Sequence, residues 1–120
     1  IRRRTTRPTV GYERFDVVVV PFPFTDSATT KRRPALVISN ADTFNSPAGH
    51  SVMAMITSAG NASWPLDVAI SDGNTVGLAA ASLVRMKLFT LDNRFILRRL
   101  GQLAATDRKA VAGSLKLLLI

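Results

Sequence analysis

The run from Asp16 to Phe22 reads DVVVVPF, apolar without alternation. It predicts a strand buried on both faces and stopped by Pro21 and Pro23, which have no N–H to give to a ladder. Thr25 to Arg33 (TDSATTKRR) is a polar loop, and Pro34 to Asn40 (PALVISN) is a second strand opening on a proline. Asn40 to His50, rich in Asn, Ser, Pro and Gly, reads as a loop. Ser51 to Ser58 then alternates Val52, Ala54 and Ile56 against Met53, Met55 and Thr57, the two-residue period of a third strand. Short strands are expected at Leu66 to Ile70, Leu78 to Ala80 and Ser82 to Leu91, with Asp72-Gly73-Asn74 as a hairpin-type turn. Phe95 to Leu100 is either strand or connector, broken at Gly101. Thereafter the period changes. Ala110, Val111, Leu115 and Leu118 recur at steps of three and four, and Thr106 as N-cap with Asp107 behind it predicts an amphipathic helix over 107–119. Five or six strands and one terminal helix without βαβ alternation give a mainly β fold, a small β-barrel with a C-terminal α-helix.

Composition fits one globular domain: 120 residues, 47% hydrophobic against 20% charged. The absence of cysteine excludes thiol catalysis, zinc ribbons and iron–sulfur clusters and fits a reducing compartment. The longest apolar stretches, Val17 to Phe24 and Leu115 to Ile120, fall far short of the roughly 20 residues that cross a bilayer. Charge changes the picture more. Sixteen Lys and Arg against eight acids give +8, which favours a polyanionic partner. Half of it sits in residues 1–14, where five arginines face only Glu13. This polar leader lacks the apolar core of a signal peptide and reads as a native arm or an expression remnant, with the folded domain over 15–120.

Several chemistries are unsupported. His50 is the lone histidine, so no histidine metal cluster exists and a Ser-His-Asp triad would need this loop residue; a solvated loop histidine is the simpler reading. No phosphate-cradling glycine motif occurs, and the aspartates are scattered, mostly in turn or cap contexts, without a magnesium or glycosidase spacing. What remains is basic. Lys31-Arg32-Arg33 precedes Pro34 at a strand entrance, and strand alternation puts Lys31 and Arg33 on one side and Arg32 on the other. A guanidinium there can grip a phosphate bidentately or stabilise charge developing on a phosphoryl oxygen; the alternative is a solvated gatekeeper run. Thr57 and Ser58 end the third strand, where hydroxyls can hold a phosphate or a ribose 2′-OH, or cap the turn at 59–61. Arg85 and Lys87 should share one strand face, toward an anion or paired with Asp16 or Asp92.

Taken in order, FDVVVVPFPFTDSATTKRRPALVISN, VMAMITSAG and LAAASLVRMKLFTLDNRFILRRLGQL, followed by a Leu-rich helix, resemble the MazF/PemK (Kid-like) toxins of type II toxin–antitoxin systems. The resemblance covers about residues 12 to 120, and its most specific piece is RPALVIS with the downstream ITS strand. It implies an SH3-like barrel with an appended helix, a homodimer, and a cytoplasmic endoribonuclease that uses no metal or cofactor. Such an enzyme cuts single-stranded mRNA at short sequences: the RNA's own 2′-OH attacks the neighbouring phosphate, leaving a 2′,3′-cyclic phosphate and a 5′-OH. Carried over by position, Arg33 is the charge stabiliser and proton-handling group, and Thr57 positions the scissile phosphate. Lys31, Arg32, Ser58, Arg85 and Lys87 become RNA contacts. The sequence departs from the pattern at Lys87, where some relatives have an acid; at Ser27 to Thr30, where others have a glutamate and this chain has only Asp26 nearby; and at Phe15-Asp16 in place of Gly-Asp. The general base is therefore left unassigned.

The resemblance also implies a cognate antitoxin, and an acidic, partly disordered segment suits a basic groove. Two other readings use the same barrel: a non-catalytic nucleic-acid-binding module, and a toxin that poisons a protein target such as gyrase. Most of the eight aromatics lie in apolar contexts, and few look exposed, which argues against a base-stacking platform.

Overall fold

The computed structural model describes residues 11–22, 31–78 and 81–120. The basic residues 2–7, Asp26 with its loop, and the end of the expected strand at Leu78 to Ala80 lie outside them. Six strands form one antiparallel sheet in the order β4-β5-β3-β2-β1-β6. They are β1 (Asp16–Phe22), β2 (Lys31–Val37), β3 (His50–Ser58), β4 (Val68–Ala69), β5 (Ser82–Asp92) and β6 (Arg98–Gln102). A short helix α1 (Ser46–Ala48) precedes β3, and α2 (Ala105–Leu119) closes the chain.

The unbroken valine run of β1 has a structural cause. Val17 belongs to one apolar cluster, with Leu36, Ala54, Ile56, Val84 and Val111. Val18, Val20 and Phe22 belong to the other, with Ala35, Val37, Met53 and Ile96. Both faces of the central strands are buried, so β1 cannot alternate. The sheet also curls. Phe22 on β1 and Phe89 on β5 are three strand steps apart, roughly 14 Å on a flat sheet. Their rings nevertheless meet edge to face at 5.5 Å. The result is a curled half-barrel with β4 and β6 at its edges and α2 packed on β4 and β5.

The mainly β fold with a terminal helix agrees with the sequence reading; its boundaries differ for local reasons. The helix begins at Ala105 after Ala104, so Thr106 lies inside the first turn rather than capping it. Asp107 is buried, and its carboxylate accepts the Ser71 N–H and hydroxyl at 2.9 Å, tying the helix start to the chain beyond β4. Asp72-Gly73-Asn74 does not turn a hairpin: Asn74–Val76 is a 3-10 turn ended by Gly77 in the left-handed region at φ +71°. Leu78 follows this turn and is not in a strand. The loop at 40–50 contains a π turn, Ala41–Asn45, whose start is held by the Asn40 side chain accepting the Thr43 N–H at 2.9 Å. Gly101 interrupts no element. It sits in β6 at a bulge, where Val17 pairs with Gly101 and Val18 with Arg99, leaving Leu100 unopposed.

Candidate active site

Pro34 decides the local topology. It pairs with Val19 of β1, but the β2–β3 ladder runs only from Val37 opposite Met53 to Ala35 opposite Met55. A proline has no N–H to extend that ladder. From there Lys31, Arg32 and Arg33 pair with β1 alone, opposite Phe22, Pro21 and Val20. On the far side Thr57 and Ser58 pair with β5 alone, opposite Leu83 and Ser82. The two strands thus part into an open mouth with cations on one bank and hydroxyls on the other. Continuing the β2–β3 register by two residues sets Arg33 opposite Thr57. Both lie on the sheet face that carries Ala35, Val37, Met53 and Met55.

Lys31, Arg32 and Arg33 are all exposed. Among the described residues no salt bridge engages them. Thr57 is half-buried and its Oγ1 accepts Asn61 Nδ2–H at 2.6 Å, while Ser58 Oγ accepts the Gly60 N–H at 3.3 Å. Both hydroxyls therefore do hold the turn at 59–61. Each still has its own O–H to donate, because a hydroxyl accepts and donates independently.

Arg85 is a different kind of arginine. It faces the same way, opposite Met55, but is only 9% exposed. Its Nε and Nη2 donate to the Asp67 carboxylate at 3.2 and 2.9 Å, and Nη2 donates to the Ala62 carbonyl at 2.6 Å. The hydrogen bonds from Arg85 hold the Asp67 carboxyl below its usual range, against the opposing effect of burial, with the Trp64 N–H helping. The same pairing pushes the guanidinium up. The partner is Asp67, not the Asp16 or Asp92 expected for a paired strand face, and a direct RNA contact by Arg85 would require it to leave these acceptors. Lys87 is exposed, in a bulge where the β3–β5 register slips and leaves Met86 and Lys87 without a partner on β3. It lies four residues along β5 from Leu83, on the order of 13 Å from the hydroxyl bank.

Among the described residues, Asp16, Asp92 and His50 lie elsewhere or are occupied. Asp16 is buried and accepts from Arg99 Nε at 2.9 Å, Gln102 Nε2 at 2.7 Å and the Glu13 N–H at 2.8 Å. It borders a cavity of about 320 Å³ with Gly11, Glu13 and Arg99. That cavity is at the start of β1, roughly 20 Å from the mouth. Asp92 is drawn down to about 2 by hydrogen bonds from Arg94. His50 opens β3, seven residues from Thr57 and so roughly 23 Å away, too far to share a reacting atom. Among the described residues no group of three or more potential ligands could hold a metal, and no helix is long and apolar enough to cross a membrane.

The expectation that few aromatics are exposed fails at Phe44, Phe95 and Trp64. Trp64 is 44% exposed, with the Arg85 guanidinium 5.0 Å from its ring centroid. Its neighbours Pro65 and Leu66 suggest an apolar context in the sequence, and nothing there pairs it with a residue 21 positions on.

Residues 13–119 match the family model described as PemK-like, MazF-like toxin of type II toxin-antitoxin system. Among solved structures, the chain is similar to MazF in a MazE–MazF crystal from Deinococcus radiodurans, with 27% identity, a TM-score of 0.70, and 90% of this chain and 95% of that one covered. A MazF structure from the same organism is 24% identical, TM-score 0.71, over 92% and 98% of the two chains. An endoribonuclease in complex with its cognate antitoxin from a mycobacterial species is 17% identical, TM-score 0.67, over 90% and 92%. The last two speak to the fold alone. No curated protein matches. On a family match spanning nearly the whole chain, and a curled sheet of the same fold, this protein belongs to the PemK-like, MazF-like toxin family of type II toxin–antitoxin systems.

Proposed function

We propose that this toxin is a metal-independent, sequence-specific endoribonuclease that cuts single-stranded mRNA and so stops translation. The observation that carries the reading is the mouth between β2 and β3, where an exposed guanidinium, in no salt bridge among the described residues, lies opposite a hydroxyl in register. The RNA's 2′-oxygen attacks the adjacent phosphorus, the P–O5′ bond breaks, and the proton lost from the 2′-OH is matched by one gained on the departing 5′-oxygen. The products are a 2′,3′-cyclic phosphate and a 5′-OH. Arg33 stabilises the charge that builds on the non-bridging oxygens and handles the proton, while Thr57 donates its O–H to hold the phosphate in line. Lys31, Arg32, Ser58 and Lys87 contact the RNA backbone, and Arg85 contributes at the same face.

The same reading makes the protein a cytoplasmic homodimer, held in check by an antitoxin that covers the basic mouth. The MazE–MazF and toxin–antitoxin complexes among its structural neighbours support such a partner. The test is cleavage of mRNA in EDTA with mapping of the ends. Cyclic phosphate and 5′-OH ends at a short recurring sequence are expected. Dependence on added Mg²⁺, 5′-phosphate ends, or inhibited DNA supercoiling with intact mRNA would overturn it.

A further inference from the structure

We propose that Trp64 is a base-stacking platform: the indole face turned away from Arg85 receives an unpaired base of the single-stranded RNA next to the scissile phosphate. The proposal rests on the ribonuclease reading and deepens it.

The ring is built into place from two sides. Its backbone is closed onto Asp67 in both directions, the Trp64 N–H donating to the Asp67 carboxylate at 2.8 Å and the Asp67 N–H to the Trp64 carbonyl at 3.4 Å. Asp67 is itself anchored by the buried Arg85, and the Arg85 guanidinium lies under the indole at 5.0 Å. One ion pair therefore fixes both the main chain and the ring of the same residue. A tryptophan with a cation against one face and 44% exposure presents its other face to solvent. A large aromatic exposed singly is common on protein surfaces. One held rigid by a buried ion pair has lost its conformational freedom before any partner arrives, which is what a binding residue gains from preorganisation.

Position selects RNA as the occupant. Arg85 lies opposite Met55, two residues before Thr57 on β3, so Arg85 and Thr57 are diagonal cross-strand neighbours about 7–8 Å apart at the backbone. The ring above Arg85 is thus within a nucleotide or two of the hydroxyl bank, on a strongly basic protein. Sequence-specific recognition of single-stranded RNA works by splaying bases onto aromatic faces. Arg85 then serves RNA as a positioning residue, through Trp64 and the 59–67 loop.

Trp64 is the chain's one tryptophan, so its emission reports on this ring alone. The experiment titrates the full protein with a 2′-O-methylated single-stranded oligonucleotide of mixed sequence, which has no 2′-OH to react, and follows both fluorescence and anisotropy. Binding should quench Trp64 emission, and an abasic oligonucleotide of equal length should bind more weakly with little quenching. Trp64→Ala should weaken binding about 5- to 150-fold, whereas Trp64→Phe, which keeps a π-face, should stay within about 5-fold of wild type. RNA that is bound and cut with unchanged wild-type emission would overturn the platform and leave the ribonuclease reading standing. Failure to bind or cut any RNA would overturn both.

Discussion

Arg33 stands exposed at the end of β2, beyond the point where Pro34 stops the ladder to β3. Arg85, on the same sheet face a few residues away, is buried and bonded to Asp67 and Ala62. Both are arginines beside apolar strand residues, and in the sequence both look like candidates for the same groove. The difference lies in what surrounds the guanidinium. An arginine whose donors are filled by a carboxylate and a carbonyl serves the fold, and one whose donors face solvent in an open mouth can take a phosphate. The first kind holds the 59–67 loop, and the second kind is the one that the proposed function assigns to the phosphate.

That division can be broken by substitution. The largest stability effect is expected from Arg85→Ala, which leaves the half-buried Asp67 carboxylate without its partner and should lower Tm by on the order of 10 °C in a thermal melt. Thr57→Val acts on the other region: it removes a half-buried hydroxyl of the same shape, so cleavage should fall at least about tenfold while Tm moves by only a few degrees. A fall in Tm matching that of Arg85→Ala would put Thr57 with the scaffold instead.

Acid should weaken the Arg85–Asp67 pair, the clamp on the 59–67 loop. Asp67 is held down by the hydrogen bonds from Arg85, and Asp92, ordinarily 3.8, is held down to about 2 by those from Arg94. Carboxyls depressed in the folded state add stability above their unfolded value and lose it as pH falls through the folded one. The urea midpoint should therefore drop as pH falls below about 4, and Asp67→Asn should remove part of that drop. The smallest effect is expected from Arg94→Ala. Arg94 is 84% exposed, and its pair with Asp92 is a surface ion pair, so the melt should change within error.

The strands and the terminal helix were legible because their patterns are strong: a valine run in which Val17, Val18 and Val20 are buried across both faces, a two-residue alternation in β3, and a three-to-four spacing in α2. The mouth was half legible. Lys31 to Arg33 and Thr57 with Ser58 stand out as polar ends of apolar strands, but their facing each other follows from a register that only pairing reveals. The clamp was not legible at all. Asp67, Trp64 and Arg85 are brought together by the return of the chain from β4 to β5, and no local spacing encodes that meeting. Helix capping failed for a related reason: Thr106 has the chemistry of a cap, yet Asp107 is drawn inward to Ser71, and the helix starts two residues earlier.

The measurement closest to the central claim is single-turnover cleavage of an mRNA fragment in EDTA by Arg33→Ala, with a melt of the same sample. Arg33 is exposed and bonded to no acid among the described residues, so Tm should be that of wild type. Loss of one charge-stabilising donor should slow cleavage by about 10²–10³-fold. Wild-type cleavage by a normally folded Arg33→Ala protein would contradict the account.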